Sequence, residues 1–210
     1  MEVLLGLEKY IPVSVCVPLI KTADDLMFLL EKRSSNVKHS REISFPGGFI
    51  EKGESPEEAA RRELKEEILI SSGKIEKFFK LGILISPLGY LIHVFISILN
   101  IDRNELSVFN EREIDKLILI PMKEIMVMKP EMYHVKLKIF PYDELENGKK
   151  KWLLPVENLK LGSRYLKPWG GKSYRVIVYN YKDEVIWGIT GEIIYEIAKM
   201  SKAGYLKFLN

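Results

Sequence analysis

Glu63, Glu66 and Glu67, with Arg62 immediately before them, are the residues of this sequence whose types and spacing are best suited to chemistry. At about 100° of rotation per helical residue, the three carboxylates fall within an arc of about 100° and share one face. Like charges at i, i+3 and i+4 repel, and a divalent cation bound on that face would relieve the repulsion. Oxygen ligands of this charge density suit Mg²⁺ or Mn²⁺, which keep bound waters and bridge protein carboxylates to phosphate oxygens. A cation held against a diphosphate neutralises charge and activates an attacking water, so the chemistry in view is hydrolysis. Taken alone, however, three glutamates are read more simply as a solvated acidic helix face, laced by Lys65 and Arg61 at i, i+4 spacing. The surrounding segment has to decide between the two.

The element that must carry these residues is the best marked in the chain. Ser55 can cap a helix, Pro56 fits its first position, and Glu58 stands three residues after Ser55 as a capping box requires, so a helix is expected to about Leu69. Before it, Ile43-Ser44-Phe45 leads into Pro46-Gly47-Gly48, where a strand should end and the backbone gain freedom. Two β-rich runs within Val13 to Arg33, split by the polar Lys21 to Asp25, predict a hairpin, followed by a polar, basic loop from Arg33 to Glu42. Downstream, Asn110 to Lys116 has short helical spacing, Leu117 to Ile120 reads as a strand, and Pro121 opens another short helix. Pro130 to Lys172 holds a strand at Val135 to Phe140 and a polar turn at Asn147-Gly148. Tyr174 to Tyr179 alternates like a strand, and Ile189 to Met200 has the spacing of a closing helix.

Leu81 to Ile101 contains no Asp, Glu, Lys or Arg and is long enough to span a bilayer. Pro87 and Gly89 at its centre, His93 in its second half and its β-branched richness instead predict two buried strands around a Ser86-to-Gly89 turn. The chain of 210 residues, 47% of them hydrophobic, can bury one substantial core. Its 32 Lys and Arg against 29 Asp and Glu leave a charge of +3, too mild to suggest a nucleic-acid coat. One cysteine, Cys16, lies in an apolar run, so an internal disulfide is excluded, a buried inert thiol is expected, and a cytoplasmic setting is the simpler reading. The N-terminal residues lack a basic region followed by a long apolar core, so no secretory signal is evident.

What overturns the plainer reading of the glutamates is the spacing of the whole segment. Gly48, five residues, Glu54, seven residues, Arg62-Glu63-Leu64, one residue, Glu66-Glu67, two residues and Ile70 together resemble the Nudix box, departing from it where Leu69 replaces the usual glycine. The resemblance implies an α/β fold, a three-layer α/β/α sandwich with a mixed sheet, formed as one domain over 1–210 with 130–172 as a candidate insertion. It implies that Glu63, Glu66 and Glu67 bind Mg²⁺ or Mn²⁺ with the carbonyl of Gly47 as a candidate further ligand, that Arg62 holds a glutamate in its working rotamer, and that Glu54 supports the loop. Family members turn sharply out of the helix where Leu69 stands, so the helix end is the feature this departure puts in question.

Further residues resemble the coenzyme A pyrophosphatase branch of that family. Leu29-Leu30, Arg33-Ser34, Lys38 and Phe45-Pro46-Gly47-Gly48 follow the order of its upstream signature, although Lys38 replaces the usual arginine and the stretch to Phe45 is a residue short. Asn110, Glu113-Ile114, Ile120-Pro121 and the run Val185 to Gly191 look like its later steps. By that resemblance the reaction is hydrolysis of coenzyme A or an acyl derivative to 3′,5′-ADP and (acyl-)4′-phosphopantetheine. Arg33, Lys38, His39 and Arg41, with Lys32 nearby, would hold phosphates through charge-assisted hydrogen bonds, or form an ordinary solvated loop. Glu63 and Glu113 are alternative general bases.

An ADP-ribose or other nucleoside-diphosphate pyrophosphatase is the rival within the enzyme class, since Pro87 lies near a proline position that such enzymes use. A non-catalytic, nucleotide-binding regulatory Nudix module is the rival outside it, although such modules typically lose box glutamates and all three are present. An isoprenoid isomerase would need a reactive cysteine, for which Cys16 is poorly placed. The expected partner is a small nucleotide-diphosphate substrate, with neither nucleic acid nor membrane, and the resemblance also allows a homodimer.

Overall fold

Alternation of side chains sets the register of a mixed sheet that carries the glutamate helix. The computed structural model describes residues 5–22, 25–35, 40–101, 105–106 and 108–206. Strands β1 (Ile11–Lys21) and β2 (Leu26–Arg33) form the expected antiparallel hairpin, with Leu19 opposite Phe28. Short strands β3 (Ile43–Ser44) and β4 (Gly47–Phe49) follow; β3 pairs with β2, and β4 turns back antiparallel onto β1. Helix α1 (Pro56–Ile68) comes next, then the long hairpin of β5 (Ile75–Ser86) and β6 (Tyr90–Leu99), which turns at residues 87–89; β6 is buried as expected, but β5 is not, its Ile83 and Ile85 being about half exposed on the side that no helix covers. β6 lies parallel to β1 along its whole length, from Ile11 opposite Tyr90 to Ile20 opposite Leu99. With β7 (Ile114–Pro121) antiparallel to β2, the sheet has seven strands among the described residues, with β1 at its centre. Among the described residues no helix is long and apolar enough to cross a membrane.

The two faces of this sheet bury different partners. Ala60, Leu64 and Ile68, spaced i, i+4 and i+8 on α1, pack on Cys16, Ile20, Met27, Leu29, Phe95 and Leu99. Each of the two large aliphatic chains removed from water there stabilises the fold by about 1.5–3 kcal/mol. The opposite face, with Val17, Leu19, Phe28, Leu30 and Ile96, is covered by α2 (Met122–Val127) and by α3 (Gly188–Lys202) through Ile193, Ile194 and Ile197. Sheet between helices is the expected α/β/α layering.

Two compact units are distinguished, Met1–Glu131 with Ile177–Asn210, and Met132–Val176. In the first, the end of β11 (Trp169–Tyr181) pairs antiparallel with β12 (Glu184–Trp187), which leads directly into α3. The second contains most of β8 (Glu131–Ile139), the hairpin of β9 (Tyr142–Glu144) and β10 (Lys150–Trp152), and the start of β11. Its hairpin is held by Tyr142 edge-on to Trp152 at 5.3 Å between ring centroids, with Lys150 over the Tyr142 ring at 4.1 Å.

The helix expected over Asn110 to Lys116 is not formed. The Asn110 carbonyl accepts from the backbone N–H groups of both Glu113 and Ile114, a single turn, and the chain then extends as β7 from Ile114. The β-branched and aliphatic run from Ile114 pairs with β2 from Arg33 to Met27, and that ladder outweighs the weak local helical spacing.

At the other end of the box, α1 stops after Ile68, and Leu69 takes a left-handed conformation, φ 58° and ψ 29°. The chain therefore makes the turn that a glycine makes without steric penalty, using a residue whose Cβ resists it. Leu69 is half exposed, so its side chain contributes little burial in exchange. Leu69→Gly should raise the unfolding free energy by about 1 kcal/mol, read from urea midpoints at constant m-value.

Candidate functional site

The three box glutamates lie on one face of α1, but they are not equivalent. Glu67 is i+3 from Leu64 and i+7 from Ala60, which puts it on the same stripe that meets the sheet. Glu63 sits at the edge of that stripe and Glu66 beyond it. Their side chains are 3%, 14% and 55% exposed respectively, a gradient from core to solvent along the acidic arc.

Strand β4 closes over the inner end of this gradient. The Gly47 N–H donates to Glu67 Oε2 at 3.0 Å. The strand expected to end at Pro46-Gly47-Gly48 is followed at once by β4, and Gly47 and Gly48 are glycines for want of space, since neither has a positive φ. A Cβ on Gly47 would stand 2.5 Å from the Ser14 carbonyl oxygen across the β1 pairing, and one on Gly48 would overlap the Glu63 carboxylate. The first turn of α1 is tied to β1, with Ser14 Oγ donating to the Pro56 carbonyl at 2.6 Å. The capping box is complete, with Ser55 Oγ and the Glu58 carboxylate each accepting the other's backbone N–H.

Arg62 knits the outer end together. Its Nε and one terminal nitrogen donate to the two oxygens of Glu54 at 2.9 and 3.1 Å, and it also reaches the Phe49 carbonyl at 3.0 Å. The other terminal nitrogen donates to Glu63 at 2.7 Å and Glu66 at 3.1 Å. Arg62 thus orients two of the three glutamates. Its bonds hold the Glu54 carboxyl below the usual range, and Glu54 in turn accepts the Glu51 N–H at 3.0 Å, bracing the loop.

Glu113 arrives from outside the box. Asn110 donates its backbone N–H to the Glu67 carbonyl at 2.9 Å and its side-chain amide to Glu113 Oε1 at 3.1 Å, which fastens this turn to the end of α1. Arg33, at the end of β2, points one terminal nitrogen between Glu31 at 3.5 Å and Glu67 at 3.7 Å. Lys32 faces the other way and pairs with Glu184 at 2.8 Å, so it does not join Arg33. Arg41 is exposed, with a left-handed backbone and its N–H on the Arg33 carbonyl. Lys38 and His39 lie outside the described residues.

Glu31 is not among the residues that motif and spacing single out for chemistry. It is fully buried, and it accepts a hydrogen bond from Ser44 Oγ at 3.0 Å on Oε1. A signal for it existed: alternation along β2 puts residue 31 on the same face as Met27 and Leu29, toward α1, and a glutamate in an inward register is unusual.

The electrostatics follow from this crowding. Burial raises the Glu67 carboxyl well above the ordinary range, and the negative charges of Glu31 and Glu63 raise it further, against the Gly47 N–H and Arg33. Burial also raises Glu31, opposed by Arg33 and Ser44 and assisted by Glu113 and Glu63. Glu63 is raised by burial against the pull of Arg62. Among the described residues no three acidic, histidine or cysteine side chains already enclose a metal position; two guanidinium groups are interposed between the carboxylates instead. The donor set nevertheless fits a hard divalent cation, because it is all oxygen, over-negative and partly desolvated, and Glu31 Oε2 is buried without a hydrogen-bond partner.

The NUDIX domain family model matches residues 11–152 of the chain. The Nudix hydrolase NudL of Photorhabdus laumondii, itself named as uncharacterized, is 27% identical over 173 residues, 81% of this chain and 75% of the relative. NudL of Yersinia enterocolitica is 24% identical over 187 residues, 89% of this chain and 79% of the relative. A MutT/nudix family protein from Enterococcus faecalis superposes with a TM-score of 0.51 at 14% identity, over 96% of this chain and 66% of its own, a likeness of fold alone.

A carboxyl whose pKa is raised by folding stabilises the folded state below its unfolded pKa, and that contribution disappears as pH rises through the folded value. Glu67 and Glu31 are both raised, so in EDTA the urea midpoint should fall between about pH 5 and about pH 9. Glu67→Gln should flatten that fall; an unchanged slope would show that burial of Glu67 does not govern it.

Proposed function

Because the chain belongs to the Nudix hydrolase family, we propose that it uses Mg²⁺ or Mn²⁺ to hydrolyse the diphosphate bond of coenzyme A or an acyl-coenzyme A, releasing 3′,5′-ADP and (acyl-)4′-phosphopantetheine. The observation that carries the metal-dependent part is the acidic arc of α1, graded from buried Glu67 through Glu63 to exposed Glu66. These three side chains are the assigned ligands, with the Gly47 carbonyl as a further oxygen. When bound, the cation neutralises the diphosphate and lowers the pKa of the attacking water.

The chain's own groups then have distinct tasks. Arg62 holds Glu63 and Glu66 in place through its fixed fork of donors. Glu63, oriented by Arg62, and Glu113, oriented by Asn110, are the alternative general bases that would take the proton from water. Water adds to one phosphorus, the bridging P–O bond breaks, and the leaving phosphate departs as an anion. Arg33 stands beside Glu67 and would reach a phosphate held next to that carboxylate. Arg41, Lys38 and His39 complete the assigned substrate contacts.

The choice of coenzyme A rests on Leu29-Leu30 and Arg33-Ser34 from β2 and its end, together with Phe45-Pro46-Gly47-Gly48 leading into β4. Of these residues Leu29 packs on the α1 side, Arg33 reaches Glu67 and the Gly47 N–H donates to it, and the order of the segments resembles the coenzyme A pyrophosphatase branch. Hydrolysis of coenzyme A, ADP-ribose and NADH should be measured side by side with Mg²⁺ or Mn²⁺, and coenzyme A is expected to turn over fastest. Faster turnover of ADP-ribose would replace the substrate, and binding without turnover of any would make the chain a regulatory module. Glu66→Gln, at a side chain 55% exposed and so with little consequence for folding, should lower kcat on the order of a hundredfold with an unchanged circular dichroism spectrum.

A further inference from the structure

We infer that Glu31, on strand β2, is an additional acidic ligand of the divalent cation, facing the α1 glutamates from the sheet. The inference rests on the metal-dependent reading above and adds to it a residue that is a quoted position of neither the box nor the upstream signature.

Three observations carry it. The first is placement: Met27, Leu29, Glu31 and Arg33 alternate toward α1, the first two packing on its apolar stripe and the last reaching Glu67 at 3.7 Å. Glu31 therefore sits where the apolar layer between helix and sheet gives way to the carboxylates. The second is the state of its two oxygens. Oε1 accepts from Ser44 Oγ at 3.0 Å and has Arg33 at 3.5 Å, whereas Oε2 is buried with no hydrogen-bond partner. A carboxylate oxygen removed from water and given no donor is strongly disfavoured unless something positive reaches it. The third is its company. Glu67 and Glu63 from α1 and Glu113 from the turn before β7 all act electrostatically on Glu31 or feel its charge. The Arg33 guanidinium is interposed between Glu31 and Glu67, a place that a more compact, doubly charged ion would fill with better geometry for hard oxygens. A structural anchor for Ser44 alone would need only one of the two oxygens.

Glu31→Gln keeps the size and one acceptor oxygen for Ser44, and replaces Oε2 or its equivalent by a donor. The test is Mn²⁺ affinity from the free-ion electron paramagnetic resonance signal, with no substrate present, alongside the thermal midpoint in EDTA. Glu31→Gln should weaken Mn²⁺ binding by at least about tenfold, since loss of even an outer-shell partner of a metal ligand costs about that much, while the midpoint in EDTA stays the same or rises because a buried carboxylate is gone. Unchanged Mn²⁺ affinity with a lowered midpoint would assign Glu31 a purely structural role and overturn the inference. Glu31→Asp, which keeps the charge but withdraws it by one methylene, is read in parallel, so the outcome does not depend on the fold tolerating glutamine. Weakened Mn²⁺ binding by the aspartate variant supports the ligand role, and undiminished binding opposes it. Glu66→Gln serves as the reference: if it loses Mn²⁺ while both Glu31 variants keep it, the metal-dependent reading stands and Glu31 is excluded. If the wild-type chain itself binds no Mn²⁺, both fall together.

Discussion

Carboxylates held between a helix and a sheet must be compensated, and the arrangement around α1 is organised by that requirement. Glu67 shares the stripe that carries Ala60, Leu64 and Ile68 into the core, so helix packing and the burial of a carboxyl group are the same event. Glu31 enters the same layer from β2. The protein meets this negative charge with fixed groups: the Gly47 N–H on Glu67, Ser44 on Glu31, Arg33 between the two, and Arg62 across Glu63 and Glu66. Each charge-assisted hydrogen bond offsets part of the desolvation, yet one buried oxygen is left without a donor. The layer is left short of positive charge.

That requirement also explains the sheet's local irregularities. β4 is only three residues long, but its glycines let the backbone approach both β1 and the Glu63 carboxylate, and its first N–H is aimed at Glu67. The turn at Asn110 reaches back to the Glu67 carbonyl and presents Glu113 before the chain commits to β7. At the C-terminal end of α1 the chain turns at Leu69 in a left-handed conformation, so the loop departs as it would from glycine and the geometry upstream is kept at the expense of local strain. Segments distant in sequence thus converge on one helical turn.

Much of the architecture was written in local patterns. The capping box at Ser55, the Val13 to Arg33 hairpin, and the reading of Leu81 to Ile101 as two strands rest on short-range stereochemistry, and each element formed. The helix expected at Asn110 to Lys116 failed because seven residues of weak periodicity cannot compete with a strand ladder whose other half lies some eighty residues earlier. The glycines of Pro46-Gly47-Gly48 suggested conformational freedom, whereas their function is to leave room, which depends on what lies opposite.

By itself the sequence determined the chemical type of the site: three glutamates on one helical face, an arginine beside them, and the spacing of the whole box, all of which are properties of a single helix and its preceding loop. Only the tertiary structure decided that these glutamates span a gradient from core to solvent, because burial depends on where the sheet meets the helix and not on the helix alone. It also decided that Arg33 turns toward Glu67 while Lys32 turns away to Glu184, and that Glu31 joins the acidic layer. The alternation of β2 assigns such side chains to opposite faces, but which face holds the charge is settled by the element packed against it.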